Sequence, residues 1–137
     1  MKQIDVLSAY KINTFHIHLT DDQGWRIEIK KYPKLTEKGA WRADREGVHW
    51  WSRKPATTDE PKTVGGFYTQ DDLKDIIEYA RVRNVEIIPE IDVPGHSKAL
   101  VASYPELFCS DIDATDINFE VAVGGKAPNN TLSLIHI

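Results

Sequence analysis

A strand with two histidines on one face and two aspartates at its end limits this chain more than any other feature. Phe15, Ile17 and Leu19 alternate with His16, His18 and Thr20, and a period of two puts the apolar side chains on one face and the imidazoles on the other. A strand buried on both faces of a parallel sheet reads as an unbroken apolar run. A half-polar strand instead needs water, a ligand or internal partners for its inner groups. Asp21-Asp22 then stop the strand, because aspartate has poor strand propensity and offers only acceptor oxygens. Barrel-type α/β folds keep their catalytic side chains at such carboxyl ends.

A second polar cluster closes the segment from Val85 to His96. Val85-Glu86-Ile87-Ile88 reads as a buried strand. Pro89 lacks a ladder donor, so pairing should weaken there, and the carboxylates of Glu90 and Asp92 should share a face at the strand end. Pro94-Gly95 turns the chain and presents His96 at the start of the next helix.

Helical patterns flank both clusters. Thr69-Gln70-Asp71-Asp72 has the form of a capping box, and Leu73, Ile76, Ile77 and Ala80 follow at helical spacing. Arg81 and Arg83 suit the last turn and Asn84 a terminator, which predicts a helix over about 70–83. Ile4, Leu7 and Tyr10 suggest an earlier helix, and Ser97 to Ser103 a later one stopped by Tyr104-Pro105. The order helix, strand, long loop, helix, strand, helix implies βαβ units and a parallel sheet. Two strands are too few to close anything. A complete (β/α)₈ barrel takes about 250 residues, against 137 here, so the expected fold is α/β, a partial barrel of two to three βα units.

Composition narrows the function classes. With 41% hydrophobic residues the chain has enough for a core, and no apolar run approaches the roughly 20 residues of a membrane span. A formal charge of −4 and no basic patch argue against nucleic acid as a partner. The single cysteine, Cys109, excludes an intrachain disulfide and a multi-cysteine metal site, and reads as a small buried residue. Lys2 and Asp5 within a helical pattern argue against a signal peptide, and Met1 reads equally well as an internal residue of a longer protein.

Residues 41–66 carry Trp41, Trp50 and Trp51 without any period. Loops of that length are often functional. Their aromatics could stack on sugar faces or simply cover the rim of the fold.

Four segments together resemble a known family. Asn13-Thr14-Phe15-His16-Ile17-His18-Leu19-Thr20-Asp21-Asp22-Gln23-Gly24-Trp25-Arg26, Tyr32-Pro33, Gly65-Gly66-Phe67-Tyr68-Thr69 and Pro89-Glu90-Ile91-Asp92-Val93-Pro94-Gly95-His96 are similar, in order, to the β-N-acetylhexosaminidases of glycoside hydrolase family 20. The resemblance runs from about residue 2 to about residue 109. It implies a (β/α)₈ catalytic domain that removes terminal β-linked N-acetylglucosamine or N-acetylgalactosamine with retention. In that scheme the substrate's acetamido oxygen attacks the anomeric carbon, outside the usual two-carboxylate mechanism. It also implies no cofactor, no metal, and a secreted, periplasmic or lysosomal setting.

The family's acetamido-orienting aspartate and acid/base glutamate lie in a His-x-Gly-Gly-Asp-Glu motif, which does not occur in these 137 residues. An arginine that grips sugar hydroxyls, on the strand before Met1 in the family, is likewise outside the sequence. What the resemblance carries over is a supporting pair. Asp21 is expected to hold His96, which in turn faces the acid glutamate. A carboxylate on one imidazole nitrogen fixes the tautomer, and the other nitrogen can then tune a proton. Strict alternation would aim Asp22 inward with His16 and His18; a strand breaking at residue 21 favours Asp21. Asp22, Glu90 and Asp92 are further candidates for binding substrate hydroxyls, with structural hydrogen bonding as the alternative for Glu90 and Asp92. Trp25, between a glycine turn and the alternating Arg26-Ile27-Glu28-Ile29, reads as packing.

Two other functions fit the residues less well. His16 and His18 at i, i+2 near aspartates could bind zinc, as in metal-dependent barrel hydrolases; in the resembled family they hydrogen-bond without metal. A non-catalytic sugar-binding relative would keep the scaffold and lose the acidic pair. Residues 1–131 are read as the catalytic-domain fragment. Leu132-Ser133-Leu134-Ile135-His136-Ile137 match the translation of a transposase adapter used in DNA library preparation, and are expected to be adapter read-through.

Overall fold

The structure is a computed structural model that describes residues 1–108 and 120–124. Cys109 and residues 132–137, about which the sequence raised expectations, lie outside the described residues.

Two strands and two helices form the frame. Helix α1 (Lys2–Ala9) leads into strand β1 (Thr14–His18), and helix α3 (Gln70–Arg81) leads into strand β6 (Glu86–Glu90). Both helices end alike. Ile12 N–H donates to Leu7 O and Lys11 N–H to Ser8 O, while Val85 N–H donates to Ala80 O and Asn84 N–H to Arg81 O. Lys11 and Asn84 take the left-handed φ of 60° and 56° that this double closure requires. At the start of α3, Thr69 Oγ1 accepts from Asp72 N–H and the Asp72 carboxylate accepts from Thr69 N–H, completing the capping box.

β1 and β6 pair in parallel, from Thr14↔Glu86 to His18↔Glu90. The ladder passes through Pro89, where the sequence predicted weakening. Glu86 N–H donates to Asn13 O and Glu90 O accepts from Leu19 N–H, so the even-numbered residues of β6 turn their backbone groups toward β1. Pro89 therefore faces the other edge, where a missing N–H costs nothing in this pair.

One face of the pair is apolar and covered. Ile4 of α1, Ala80 of α3 and Val85 are buried together, with Phe15, Ile76, Tyr79 and Ile87 packed against them. The opposite face carries His16, Ile88 and His18, all exposed, and Glu90, half-buried.

Between these units the chain makes a second packed region. β1 ends at His18, two residues before the alternation predicted. Strand β2 (Thr20–Asp21) then folds back antiparallel on β3 (Gly24–Trp25), with Asp22-Gln23 between them. Trp25 is buried as its position implied, its Nε1–H donating to Ile27 O at 2.7 Å. It joins Leu35 of the short helix α2 (Lys34–Glu37) and the fully buried helix α4 (Lys98–Ser103) in the largest apolar cluster.

The long 41–66 segment is closed at its base. Strand β4 (Trp41–Arg42) pairs antiparallel with β5 (Val64–Gly65), and Gly65 has no room for a Cβ because Ala40 O occupies that space. Arg45 staples the interior through Glu60 at 2.6 Å and Lys54 O at 3.2 Å. Trp41 is half-buried there, while Trp50 and Trp51 stay exposed, with the Arg53 guanidinium 5.1 Å from the Trp50 ring.

Candidate active site at the strand tips

The carboxyl ends of β1 and β6 lie side by side because the ladder is parallel and in register up to His18↔Glu90. Beyond it, Asp92 N–H donates to Thr20 Oγ1 at 2.8 Å, tying the two exits together. Leu19 and Thr20 are both buried, so the alternation of β1 breaks there. The chain turns, and Asp21 reaches the face occupied by His18.

This produces a continuous run of polar contacts, a close His16–Glu90 contact followed by hydrogen bonds. His16 Nε2 meets Glu90 Oε2 at 2.7 Å, Glu90 Oε1 meets His18 Nδ1 at 2.7 Å, and His18 Nε2 meets Asp21 Oδ2 at 3.1 Å. Asp21 Oδ1 accepts from Asp22 N–H at 2.6 Å and from His96 Nδ1 at 3.2 Å. Asp21 and His96, paired in the sequence analysis, are thus in contact. With Nδ1 donating to a carboxylate, the Nε2 lone pair of a neutral His96 is left to accept a proton elsewhere.

His96 follows a cis Val93–Pro94 peptide and Gly95, and has a left-handed φ of 50°. Histidine is among the few non-glycine types that enter this region with any frequency, and such backbone is concentrated at functional sites. Helix α4 begins at Lys98, one residue after the start at Ser97 that the sequence predicted.

The electrostatics follow from the partners. The His18 pKa is raised, first by its hydrogen bond to Glu90 and then by Asp21. For Asp21, burial pushes the carboxyl up, but the Asp22 N–H, His18 and the nearby charge of His96 together hold it below the usual value.

Of the expected hydroxyl-binding carboxylates, Asp22 and Glu90 are engaged inside the protein. Asp22 is only 6% exposed, and its Oδ1 accepts from Lys98 N–H at 3.1 Å. Its carboxylate caps the start of α4 from a distance, where the Ser97 side chain makes no cap. Glu90 bridges His16 and His18. Asp92 is fixed through its backbone, at the rim of the same site.

Sequence reading missed Thr20 and Lys98. Lys98 is 5% exposed; burial lowers its pKa, against the charges of Asp22 and Glu120. Thr20 sits in the polar half of the alternation, which is the only signal that could have found it. A lysine after Gly-His-Ser carries none.

Asp21, Asp22 and His96 bring one ligand atom each within 4.8 Å of one another. Within this group Asp21 is hydrogen-bonded to His96, while the Asp22 carboxylate accepts from Lys98 N–H. His16 and His18, the pair weighed as zinc ligands in the alternative reading, both turn their rings onto Glu90.

Comparison with known proteins agrees on one family. Residues 1–136 match the model of the glycosyl hydrolase family 20 catalytic domain. A β-hexosaminidase of Vibrio furnissii is 50% identical over 109 residues, covering 79% of this chain and 17% of that protein. A β-hexosaminidase of Porphyromonas gingivalis is 47% identical over 108 residues, covering 79% of this chain and 12% of that protein. Among solved structures, a family 20 exo β-N-acetylglucosaminidase from Vibrio harveyi in complex with N-acetylglucosamine superposes with a TM-score of 0.70 and 42% identity, over 96% of this chain and 19% of that one. The chain therefore spans less than a fifth of the length of these relatives.

Proposed function

Since the chain belongs to the glycosyl hydrolase family 20 catalytic domain, we propose that it is a segment of two to three βα units of a (β/α)₈ barrel that hydrolyses terminal, non-reducing β-linked N-acetylhexosamine. The parallel β1–β6 pair, with helices on one face and polar groups on the other, supports the barrel reading. The substrate class rests on relatives described as β-hexosaminidases, and on the Vibrio harveyi structure with N-acetylglucosamine bound. N-acetylgalactosamine is the second substrate in this proposal.

One observation carries the role of this segment: His96 Nδ1 lies 3.2 Å from Asp21 Oδ1 at the strand tips. In this reading Asp21 fixes the His96 tautomer, and His96 Nε2 steadies the proton of an acid glutamate supplied by a later strand. The acetamido oxygen of the substrate is the nucleophile, so the protein needs an acid and a group to orient the amide, not a second carboxylate nucleophile. Asp92 is assigned to a sugar hydroxyl, while Asp22 and Glu90 hold the scaffold of the site. Residues 1–131 are the enzyme segment and 132–137 adapter read-through.

The test is turnover of chromogenic N-acetyl-β-hexosaminides. The complete domain is expected to hydrolyse them, and the 137-residue chain alone is not, because it lacks the Asp-Glu pair. Turnover by the chain alone would refute the assignment of the acid. Stoichiometric zinc with chelator-sensitive turnover would favour the metal-dependent reading, and an inert domain lacking the acidic pair would favour a sugar-binding relative.

A further inference from the structure

His18 is the one imidazole in the strand-tip cluster with both ring nitrogens on carboxylates. Nδ1 is 2.7 Å from Glu90 Oε1 and Nε2 is 3.1 Å from Asp21 Oδ2. An ionised carboxylate can only accept, and a neutral imidazole has a single N–H. Both contacts are hydrogen bonds only if His18 carries two protons. Glu90 and Asp21 then supply two negative charges against the one positive charge of His18, and His96 needs only one N–H to donate to Asp21. Both His18 bonds are charge-assisted, the stronger kind.

We infer that His18 is a positioning residue, an imidazolium clamped between Glu90 and Asp21 that orients the Asp21 carboxylate toward His96. This rests on the family 20 reading for its consequence in catalysis, though not for its geometry. Asp21 ends the two-residue strand β2, whose pairing with Gly24 of β3 places its backbone but leaves its carboxylate free to rotate. Its Oδ1 must face His96 for Nδ1 to donate, and His18 on Oδ2 is the side chain that opposes rotation of the carboxylate. Glu90 in turn anchors His18 from β6, with His16 on its second oxygen. The two strand tips are thereby locked by charge as well as by the ladder. The groups facing His18 are Glu90 from β6 and Asp21 from β2; His16 and His96 lie one bond further along the chain.

When His18 loses a proton, one of its two bonds must go. The longer contact, to Asp21, is the one expected to fail, freeing Oδ2 and loosening the hold on His96. A side chain with a permanent charge and several donors should keep the clamp, and a neutral amide should not.

Two measurements on the complete catalytic domain decide the matter. Neutron diffraction at about pH 7 should show deuterium on both Nδ1 and Nε2 of His18, where a free imidazole is mostly neutral. Deuterium on a single nitrogen overturns the inference. For the chromogenic N-acetylglucosaminide, His18→Gln should lower kcat about tenfold while KM stays within about twofold, as for a misplaced catalytic group. His18→Arg should recover most of that loss. An unchanged kcat in His18→Gln, or equal losses in the two variants, overturns the clamp. If His18→Gln does not fold, the neutron map of the unsubstituted domain decides alone. A doubly protonated His18 in a domain without hydrolase activity would sustain the clamp and defeat the family 20 function, so the two failures are distinguishable.

Discussion

The two faces of the β1–β6 pair are built from alternate residues of the same strands, yet different physics holds them. Phe15 and Ile87 face a dry layer, with Ile4, Ala80 and Val85 buried beneath the outer helices. His16, His18 and Glu90 face the open side and are held by an ion-pair contact and a hydrogen bond to Glu90. Burial is non-directional and scales with area. It keeps the helices on the sheet without caring which rotamer each side chain adopts. The polar face makes up for a smaller gain with direction: each proton there has one acceptor, and the order of acceptors leads from Glu90 through His18 to Asp21 and His96. The difference teaches that stability and catalytic geometry sit on opposite sides of one ladder, and that substitutions should separate them.

The largest effect should fall on the dry face. Ile4→Ala removes a side chain only 2% exposed and should cost about 3 kcal/mol, the middle of the range for such truncations. Denaturant melts of the complete domain check this, and kcat of the folded variant should stay unchanged. A comparable loss of kcat at full folding would show that the two faces are coupled.

His96→Ala should do the reverse. It should lower kcat by about 10²-fold, the size of a lost proton-handling group, with stability nearly intact because the ring is exposed. Steady-state kinetics across pH measure it. A variant with the wild-type rate throughout would remove His96 from the proton network.

A smaller effect tests the outer layer. Thr69→Ala deletes the side-chain half of the α3 capping box and should cost about 1 kcal/mol. The hydrolytic rate should not change, since α3 packs on the face of the β1–β6 pair opposite the site. The same melts and assays decide both points.

The smallest expected effect is the pH dependence of the polar face, and its sign follows from the shifts. His18 is raised from 6.5 by Glu90 and Asp21, so its contribution is complete below about pH 6.5 and is lost as pH rises through the raised value. Asp21 is lowered from 3.8, so its contribution is complete above that value and is lost as pH falls through the lowered one. Both act fully between these limits. The acid limb is shared with Asp5, Glu60, Asp71, Asp72 and Glu78, held down first by Tyr79, Arg45, Lys74, Thr69 and Arg81 respectively. The alkaline limb is therefore the informative one. Wild-type stability should decline there while His18→Gln stays flat, and parallel curves would break the comparison.

Much of this organisation was legible beforehand, for reasons that differ by residue. The α3 capping box is a local pattern, because Thr69 and Asp72 are three residues apart and need no tertiary partner. Asn84 was readable as a terminator because few side chains tolerate its backbone angle. The alternation at Phe15 to His18 set the two faces. It failed at Leu19 and Thr20, where burial against the rest of the chain overrode the period, and Asp22 consequently meets the start of α4. The 41–66 segment read as a featureless loop because its closure depends on β4 meeting β5, a pairing without any local signal.

The sequence by itself determined the helices and the two parallel strands of the frame, which strand face is polar, and which family the chain resembles, because these follow from spacing and side-chain type. Only the tertiary structure decided which acceptor each imidazole takes. Glu90 stands 72 positions from His18, and Asp21 stands 75 positions from His96. Those distances are closed by the parallel register and by the turn after His18, and a hydrogen bond exists only when donor and acceptor come within about 3 Å along the right direction.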